Sequence, residues 1–281
     1  MLIKPWNDLP TPRHALEEDS NEQPQVPIVD ITLDETVSEI DHFLVIPSSI
    51  KVVEDGLVGR KIGSIRIYYK VEPKVDAKIG DDDEEEDYDE DEQLYKVIVE
   101  GKSNTYEETI IPIVHSLNSI SIVVPNFKNV IANNFLARKL IEQFDSIITK
   151  SWITLAPCHL NNGQTLSKLE ASQVKITGKG SKIPESYTFV PKLNPPHFIT
   201  GISASVNSVL NLQKEPKLVS LVLNADGQPG YEKLDTDAIM DAAYVVGDFI
   251  TIDAAGKEKY IQAISKQVRK FNSYSNSGMY L

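Results

Sequence analysis

Short apolar runs, each ended by a proline or a polar cluster, divide this chain into strand-sized pieces. Residues 43–46 (Phe-Leu-Val-Ile) stop at Pro47, with the length and composition of a short buried strand. Ile62, Ile65, Ile67, Tyr69 and Val71 alternate imperfectly with Ser64, Arg66 and Lys70, which predicts a longer, half-exposed strand. Residues 94–99 (L-Y-K-V-I-V) read as another. A charged insertion lies between these two, so they are expected to form a hairpin with an expanded loop, since closure entropy grows only logarithmically with length. Residues 119–124 give a strand stopped by Pro125, and Asn126 is the expected cap of the helix after it. In that helix Val130, Ile131, Leu136, Leu140, Ile141 and Phe144 recur at three- and four-residue spacing. Residues 147–148 and 152–155 then supply strand material ending at Pro157. Strand, helix and strand in succession predict an α/β fold, a mixed sheet flanked by helices.

The second half continues the alternation. Residues 161–182 are polar, with Gly163, Gly178 and Gly180, and read as irregular at their ends. Pro195 and Pro196 precede a weak helix over 198–212, rich in Gly201, Ser203, Ala204 and Ser205. Small residues allow close packing on a sheet or on another subunit, so Phe198, Gly201, Ile202 and Ser205 form a candidate subunit contact. Residues 218–223 are the clearest buried strand. Asp235 or Thr236 caps a helix running through Ile239, Met240, Ala243, Val246 and Ile250. A last helix over 257–270 carries Tyr260, Ile261, Ile264 and Val268 on one face, and a flexible linker succeeds it. The expected organisation is an extended proline-rich arm (1–40), one α/β domain (41–270) with an acidic insertion at 81–92, and a flexible tail (271–281). In the arm Leu2, Ile3, Trp6 and Leu9 are apolar anchors in an otherwise polar stretch.

Composition sharpens this picture. With 281 residues, 41% of them hydrophobic, the chain can bury a substantial core. Its net charge of −13 is concentrated, because residues 81–92 hold eleven carboxylates and Tyr88; taking those eleven away leaves −2. The rest carries no basic stripe of the kind that neutralises phosphates, which argues against nucleic acid as a partner. No apolar run approaches the roughly 20 residues of a membrane helix, so no membrane partner is expected. Cys158 is the single cysteine, and Lys4, Pro5, Asn7, Asp8 and Pro10 interrupt anything like a signal peptide. The expected location is a reducing compartment, cytoplasm or nucleus.

Catalytic patterns find little support. His14, His42, His115, His159 and His197 show no metal-ligand spacing, and there is no G-x-S-x-G elbow or phosphate-binding glycine loop. Neither a metal nor a cofactor is predicted. Cys158 and His159 are adjacent, so on an extended segment their side chains point to opposite faces. The loop 224–230 (N-A-D-G-Q-P-G) comes after the best strand, where open α/β sheets often bind ligands, and it is also an ordinary run of turn residues. It is the basis of the runner-up reading, an enzyme of nucleoside-phosphorylase-like architecture. The ending Met279, Tyr280, Leu281 has three readings: a fraying end, a ligand for strand-adding grooves, or a pocket ligand. In the third, a terminal carboxylate meets a pocket lysine while Tyr280 packs and Met279 fills an apolar notch. A hydrophobic residue, a tyrosine and any last residue is the HbYX arrangement that proteasome-binding proteins insert between α subunits.

Four patches in order along the chain carry a resemblance: M-L-I-K-P-W-N-D-L-P-x-P-R-H (1–14), P-P-H-F-I-T-G-I (195–202), G-Q-P-G-Y-E-K-L (227–234) and the ending G-M-Y-L. With them the chain resembles the fungal proteasome assembly chaperone 1 family. The resemblance implies a non-enzymatic chaperone that forms a heterodimer with a second assembly chaperone of similar fold. It implies binding to the outer face of the α-subunit ring of the immature proteasome core, each tail entering an inter-subunit pocket through, here, Met279, Tyr280 and Leu281. The pair would favour correct α-ring assembly and block premature capping by activators.

Overall fold

Four parallel strands form the middle of the sheet, and they are the runs most apolar in sequence. In the computed structural model the described residues are 26–37, 39–69, 108–127, 129–160, 169–171, 184–213, 218–226, 232–250 and 253–277. The chain divides into two compact units, Met1–Pro27 with Tyr69–Tyr106, and Ile28–Tyr68 with Glu107–Leu281. The first lies almost wholly outside the described residues. The strands and helices belong to the second, apart from the strand-end residues Pro27 and Tyr69. The acidic run 81–92, the strand expected at 94–99, the loop residues 227–230 and the tip 279–281 also lie outside the described residues.

Strands β1 (Pro27–Leu33), β2 (Ile40–Pro47), β3 (Arg60–Tyr69), β4 (Glu108–Ser116), β5 (Ser119–Val124), β6 (Ile148–Cys158), β7 (Leu169–Ala171) and β8 (Leu218–Asp226) lie in the order β1-β3-β4-β5-β2-β6-β8-β7. A two-residue β9 (Lys233–Leu234) adds to the end of β8. Strands β5, β2, β6 and β8 run parallel, with Phe43 opposite Ile120 on one side and Trp152 on the other. The pairings of β3 with β4, β4 with β5 and β7 with β8 are antiparallel, so the sheet is mixed as expected.

Alternate side chains along β2 feed two cores. Phe43 and Val45 join Ile120, Ile122 and Trp152 beneath helices α2 (Ile131–Phe144) and α4 (Gly201–Asn211). Leu44 and Ile46 join Ile153, Leu155, Val219 and Leu221 beneath the short α1 (Val52–Asp55), α5 (Thr236–Phe249) and α6 (Ala254–Ser277). Both faces are covered, which is why these strands read as continuous apolar runs rather than alternating ones. Phe43 lies 4.6 Å from Trp152 and 4.9 Å from Phe144, ring centre to ring centre. Each such fully buried side chain contributes about 1.5–3 kcal/mol of transfer free energy. The remaining helix, α3 (Glu185–Thr188), is a single turn with no buried residue.

The structure departs from the sequence expectation at six places. Residues 27–33, assigned to the arm, form an edge strand whose proline sits at its first position, where a ladder tolerates it. Residues 108–116, to which no element was assigned, form β4 and pair with β3, Tyr68 lying opposite Glu108. Asn129, not Asn126, serves the start of α2, its Oδ1 accepting from the Ile131 amide at 3.0 Å. The polar stretch 161–182 contributes β7. Helix α4 begins at Gly201, so Phe198 precedes it. Helix α6 continues to Ser277, where a flexible linker was expected from residue 271. The cap of α5 is as expected, Asp235 accepting from the Asp237 amide at 2.9 Å.

Candidate functional site

The carboxyl ends of the parallel strands are where an enzyme of this architecture would place its chemistry. Cys158 ends β6 there and His159 follows it, beside Asn224 and Asp226 of β8. Asn224 Oδ1 accepts from the Leu160 amide at 3.1 Å, and the Asn224 carbonyl accepts from the Asp235 amide at 3.0 Å. One residue therefore ties β6, β8 and the start of α5 together. His159 Nδ1 and Asp226 Oδ1 are 3.0 Å apart, and both side chains are exposed. The Cys158 thiol points to the His159 carbonyl, not its ring, so no thiol–imidazole pair forms. Among the described residues no three His, Cys, Asp or Glu side chains gather to hold a metal.

The small-residue helix divides by face. Phe198 is 68% exposed, Gly201 is exposed and Ser205 half-buried, whereas Ile202 is buried in this chain's own core with Val206 and Leu210. The predicted four-residue contact is thus not one surface. Gly201 is small for a backbone reason: its φ of +63° is left-handed, and a Cβ there would meet nothing within 4 Å. Ser203 and Asn207 serve the sheet instead. The Ser203 hydroxyl donates to the Leu155 carbonyl, and the Asn207 amide nitrogen donates to the Ser220 hydroxyl at 2.6 Å, with Thr154 completing the buried cluster.

Titratable groups inside the fold are held for structure. His42 stands with Nδ1 2.8 Å from the Ser151 hydroxyl and its ring edge-on to Phe249. Burial, aided by nearby Lys150, pushes its pKa down to about 4, so it is neutral near pH 7. Burial likewise raises the Glu54 carboxyl, against the hydrogen bond it receives from the Ser121 hydroxyl at 2.8 Å. Sequence inspection singled out neither role; the polar residues at 42 and 151 within apolar strands were the available signal.

The last helix has a different character. Its stripe Tyr260, Ile264 and Val268 packs into the second core. The Tyr260 hydroxyl donates to the Val53 carbonyl at 3.0 Å, and burial raises its pKa. Gly56, just after α1, lets the helix approach: a Cβ there would stand 2.7 Å from Ile264 Cγ1 and 2.8 Å from Tyr260 Cε2. Lys257 pairs with Asp248 and places its Nζ 3.4 Å above the Tyr244 ring centre, fixing α6 on α5. Beyond Val268 the helix runs on to Ser277, roughly 13 Å at 1.5 Å per residue. Among the described residues no helix is long and apolar enough to cross a membrane.

Fold and site together define an α/β body with helices on both faces of a mixed sheet and a long last helix. A family model described as POC1 chaperone matches residues 1–281, and the chain belongs to the POC1 chaperone family. Among solved structures it is similar to Pyrococcus furiosus PbaA, an archaeal homolog of proteasome-assembly chaperone. The TM-score is 0.46, with 14% identity over 90% of this chain and 100% of that one. P. furiosus PbaB, an archaeal proteasome activator, gives a TM-score of 0.48 and 11% identity over 92% and 100%. A Corynebacterium glutamicum protein of unknown function gives 0.44 and 10% over 90% and 91%. A search of curated proteins finds no match.

Proposed function

We propose that this chain is a non-enzymatic assembly chaperone of the proteasome core, of the assembly chaperone 1 type, acting as a heterodimer with a second chaperone. In this reading the pair sits on the outer face of the α-subunit ring. Met279, Tyr280 and Leu281 enter a pocket between α subunits, promoting ring assembly and excluding activators. Membership of the POC1 chaperone family is the observation that carries it. The course of α6 supports it: the helix is seated on the body by Tyr260 and runs to Ser277, close in sequence to the motif at 279–281. The enzyme alternative is not favoured, because Asn224 and its neighbours are engaged in bracing strand ends.

A three-residue tip binds weakly, since ordering it opposes few contacts. Two tails on one heterodimer gain about 10²- to 10⁴-fold by effective concentration if both reach their pockets. Contacts between body and ring then select immature over mature cores. The second chaperone is placed around Phe198, Gly201 and Ser205, with Phe198 as the exposed anchor. The same reading locates the protein in the cytoplasm and nucleus, where cores are built. Co-purification tests it: α subunits accompany the intact chain and drop sharply when residues 279–281 are removed. Full retention by the truncated chain, without a partner chaperone present, would refute tail docking.

A further inference from the structure

Helix α6 runs on through residues 271–277, where the sequence predicts a flexible linker, and this limits how far the chain's end can stand from the body. The helix is unbroken from Ala254 to Ser277. Tyr260, Ile264 and Val268, spaced four residues apart on one face, seat it in the second core. The seat is close: the Tyr260 hydroxyl donates to the Val53 carbonyl at 3.0 Å, and Gly56 has no Cβ to hold the helix off. Helix and seat belong to one compact unit. The fold therefore fixes the direction of α6 through Val268.

Residues 271–277 (F-N-S-Y-S-N-S) are poor material for an isolated helix, because serine and asparagine favour caps and turns. They are helical as a continuation, since adding a residue to a formed helix costs far less than nucleating one. The consequence is one of reach. Eleven free residues, 271–281, would let Leu281 stand up to about 40 Å from Lys270. With the helix running to Ser277, Leu281 is the fourth residue beyond it, and four residues span at most about 14 Å. Effective concentration falls roughly as the 3/2 power of tether length, so four residues in place of eleven raise it about fivefold.

We propose that α6 is a stiff arm that aims Met279, Tyr280 and Leu281. The α-ring pocket that receives them then lies within about 14 Å of the helix end, and the body meets the ring in one orientation. The proposal rests on the tail-docking reading and adds to it what directs the tip. Tyr260 and Gly56 become positioning residues, acting on the tip through the helix. A flexible tether would let the tip bind while the body took many orientations. A stiff arm has less ordering to lose on binding, which offsets the weakness of a three-residue tip. It also ties body contacts to tip contacts, so a ring whose outer face is displaced relative to its pocket cannot satisfy both.

Distance and binding measurements on the whole chain test it together. Spin labels at K259C and S277C, in a C158S background, report on the arm in the free protein. A stiff arm gives one narrow distribution corresponding to about 27 Å between the two backbone positions, eighteen residues at 1.5 Å each. A broad distribution would overturn the arm whether or not the tail docks. The variants N272G/S273G/S275G/N276G and N272A/S273A/S275A/N276A loosen and stiffen the arm at constant length. The glycine variant is expected to bind purified α-subunit rings about tenfold more weakly than wild type, and the alanine variant at least as tightly. If the glycine variant broadens the distances yet binds as wild type, while removal of residues 279–281 abolishes binding, the arm fails and tail docking stands. Equal weakening in the glycine and alanine variants would also overturn the arm, because side-chain contacts rather than stiffness would then account for the loss. Full binding by the chain without residues 279–281 would refute tail docking itself, and the arm with it.

Discussion

The carboxyl edge of the parallel strands and the last helix both carry polar side chains in an α/β body, and they use them in opposite ways. At the strand ends Asn224 is used twice, through its side chain on Leu160 and its carbonyl on Asp235, while His159 Nδ1 and Asp226 Oδ1 meet at 3.0 Å. On α6 one face is fixed by Tyr260 and Ile264, and the other shows Lys259 and Lys266, which no described residue answers. Groups that satisfy one another hold a fold together. Groups left facing water are available to a partner. Under the proposed reading, recognition belongs to the last helix and the tip it leads toward, and the edge where an enzyme would keep its reactive groups has a structural duty.

The most severe way to break this contrast is to unseat the helix. Tyr260→Ala removes a buried ring and leaves the Val53 carbonyl unpaired. It is expected to cost about 3–5 kcal/mol in urea unfolding, and α-ring binding should fall with it although the tip is untouched. Tyr260→Phe keeps the ring and should cost about 1–3 kcal/mol. If Tyr260→Ala unfolds at the wild-type midpoint, α6 is not anchored there.

Acid tests the interior that both regions share. The unfolded chain protonates His42 near pH 6.5 and the folded chain only near 4, so unfolded molecules bind more protons between those values. Stability is therefore full above pH 6.5 and falls as pH drops toward 4, by about 3 kcal/mol from this residue. Asp41, which burial would raise but hydrogen bonds from Lys150 and Thr149 hold down, loses its contribution only as pH falls through its lowered value. Denaturant melts at stepped pH should show the slope between 6.5 and 4 reduced in His42→Gln. An equal slope in both proteins would remove His42 as the acid sensor.

How far the sequence reached depends on what each residue had to do. Strands β2, β5, β6 and β8 were legible because burial on both faces leaves unbroken apolar runs, and α2 and α5 because one face each is apolar. Strand β4 was hidden by Pro112. That residue sits opposite Ser64 of β3, in the part of β4 with no paired partner on β5, where the missing N–H is tolerated. The extension of α6 was hidden by Asn272, Ser273, Ser275 and Asn276, which favour caps and turns over helix interiors. Of the candidate site, the tip at Met279, Tyr280 and Leu281 was read as a motif and lies outside the described residues. The brace at Asn224 has no sequence signature, since it depends on the Leu160 amide, 64 residues away.

A milder change separates structural duty from function at the strand ends. Asn224→Ala leaves the Leu160 amide without its acceptor, and should cost about 1–3 kcal/mol. Ring binding by the folded fraction should stay unchanged. A variant of wild-type stability that has lost binding would reverse the assignment, making this edge part of the recognition surface.

The smallest expected effect is the most discriminating for the enzyme alternative. His159 and Asp226 are exposed, so their pairing is screened and its loss should move stability by no more than about 0.5 kcal/mol. Cys158→Ser should be similarly mild, because the thiol is only partly buried and makes a single weak contact to a carbonyl. If these residues formed a reaction centre, His159→Ala would abolish turnover while leaving the melt unchanged. If they only finish the ends of β6 and β8, the double variant His159→Ala, Cys158→Ser should co-purify with α subunits as wild type does. A nucleoside phosphorolysis assay on both proteins decides between these outcomes: measurable turnover in the wild type, lost in the double variant, would move the function back to the strand ends. The expected result is no turnover in either, because the Cys158 thiol faces a backbone carbonyl and the His159 ring is occupied by Asp226.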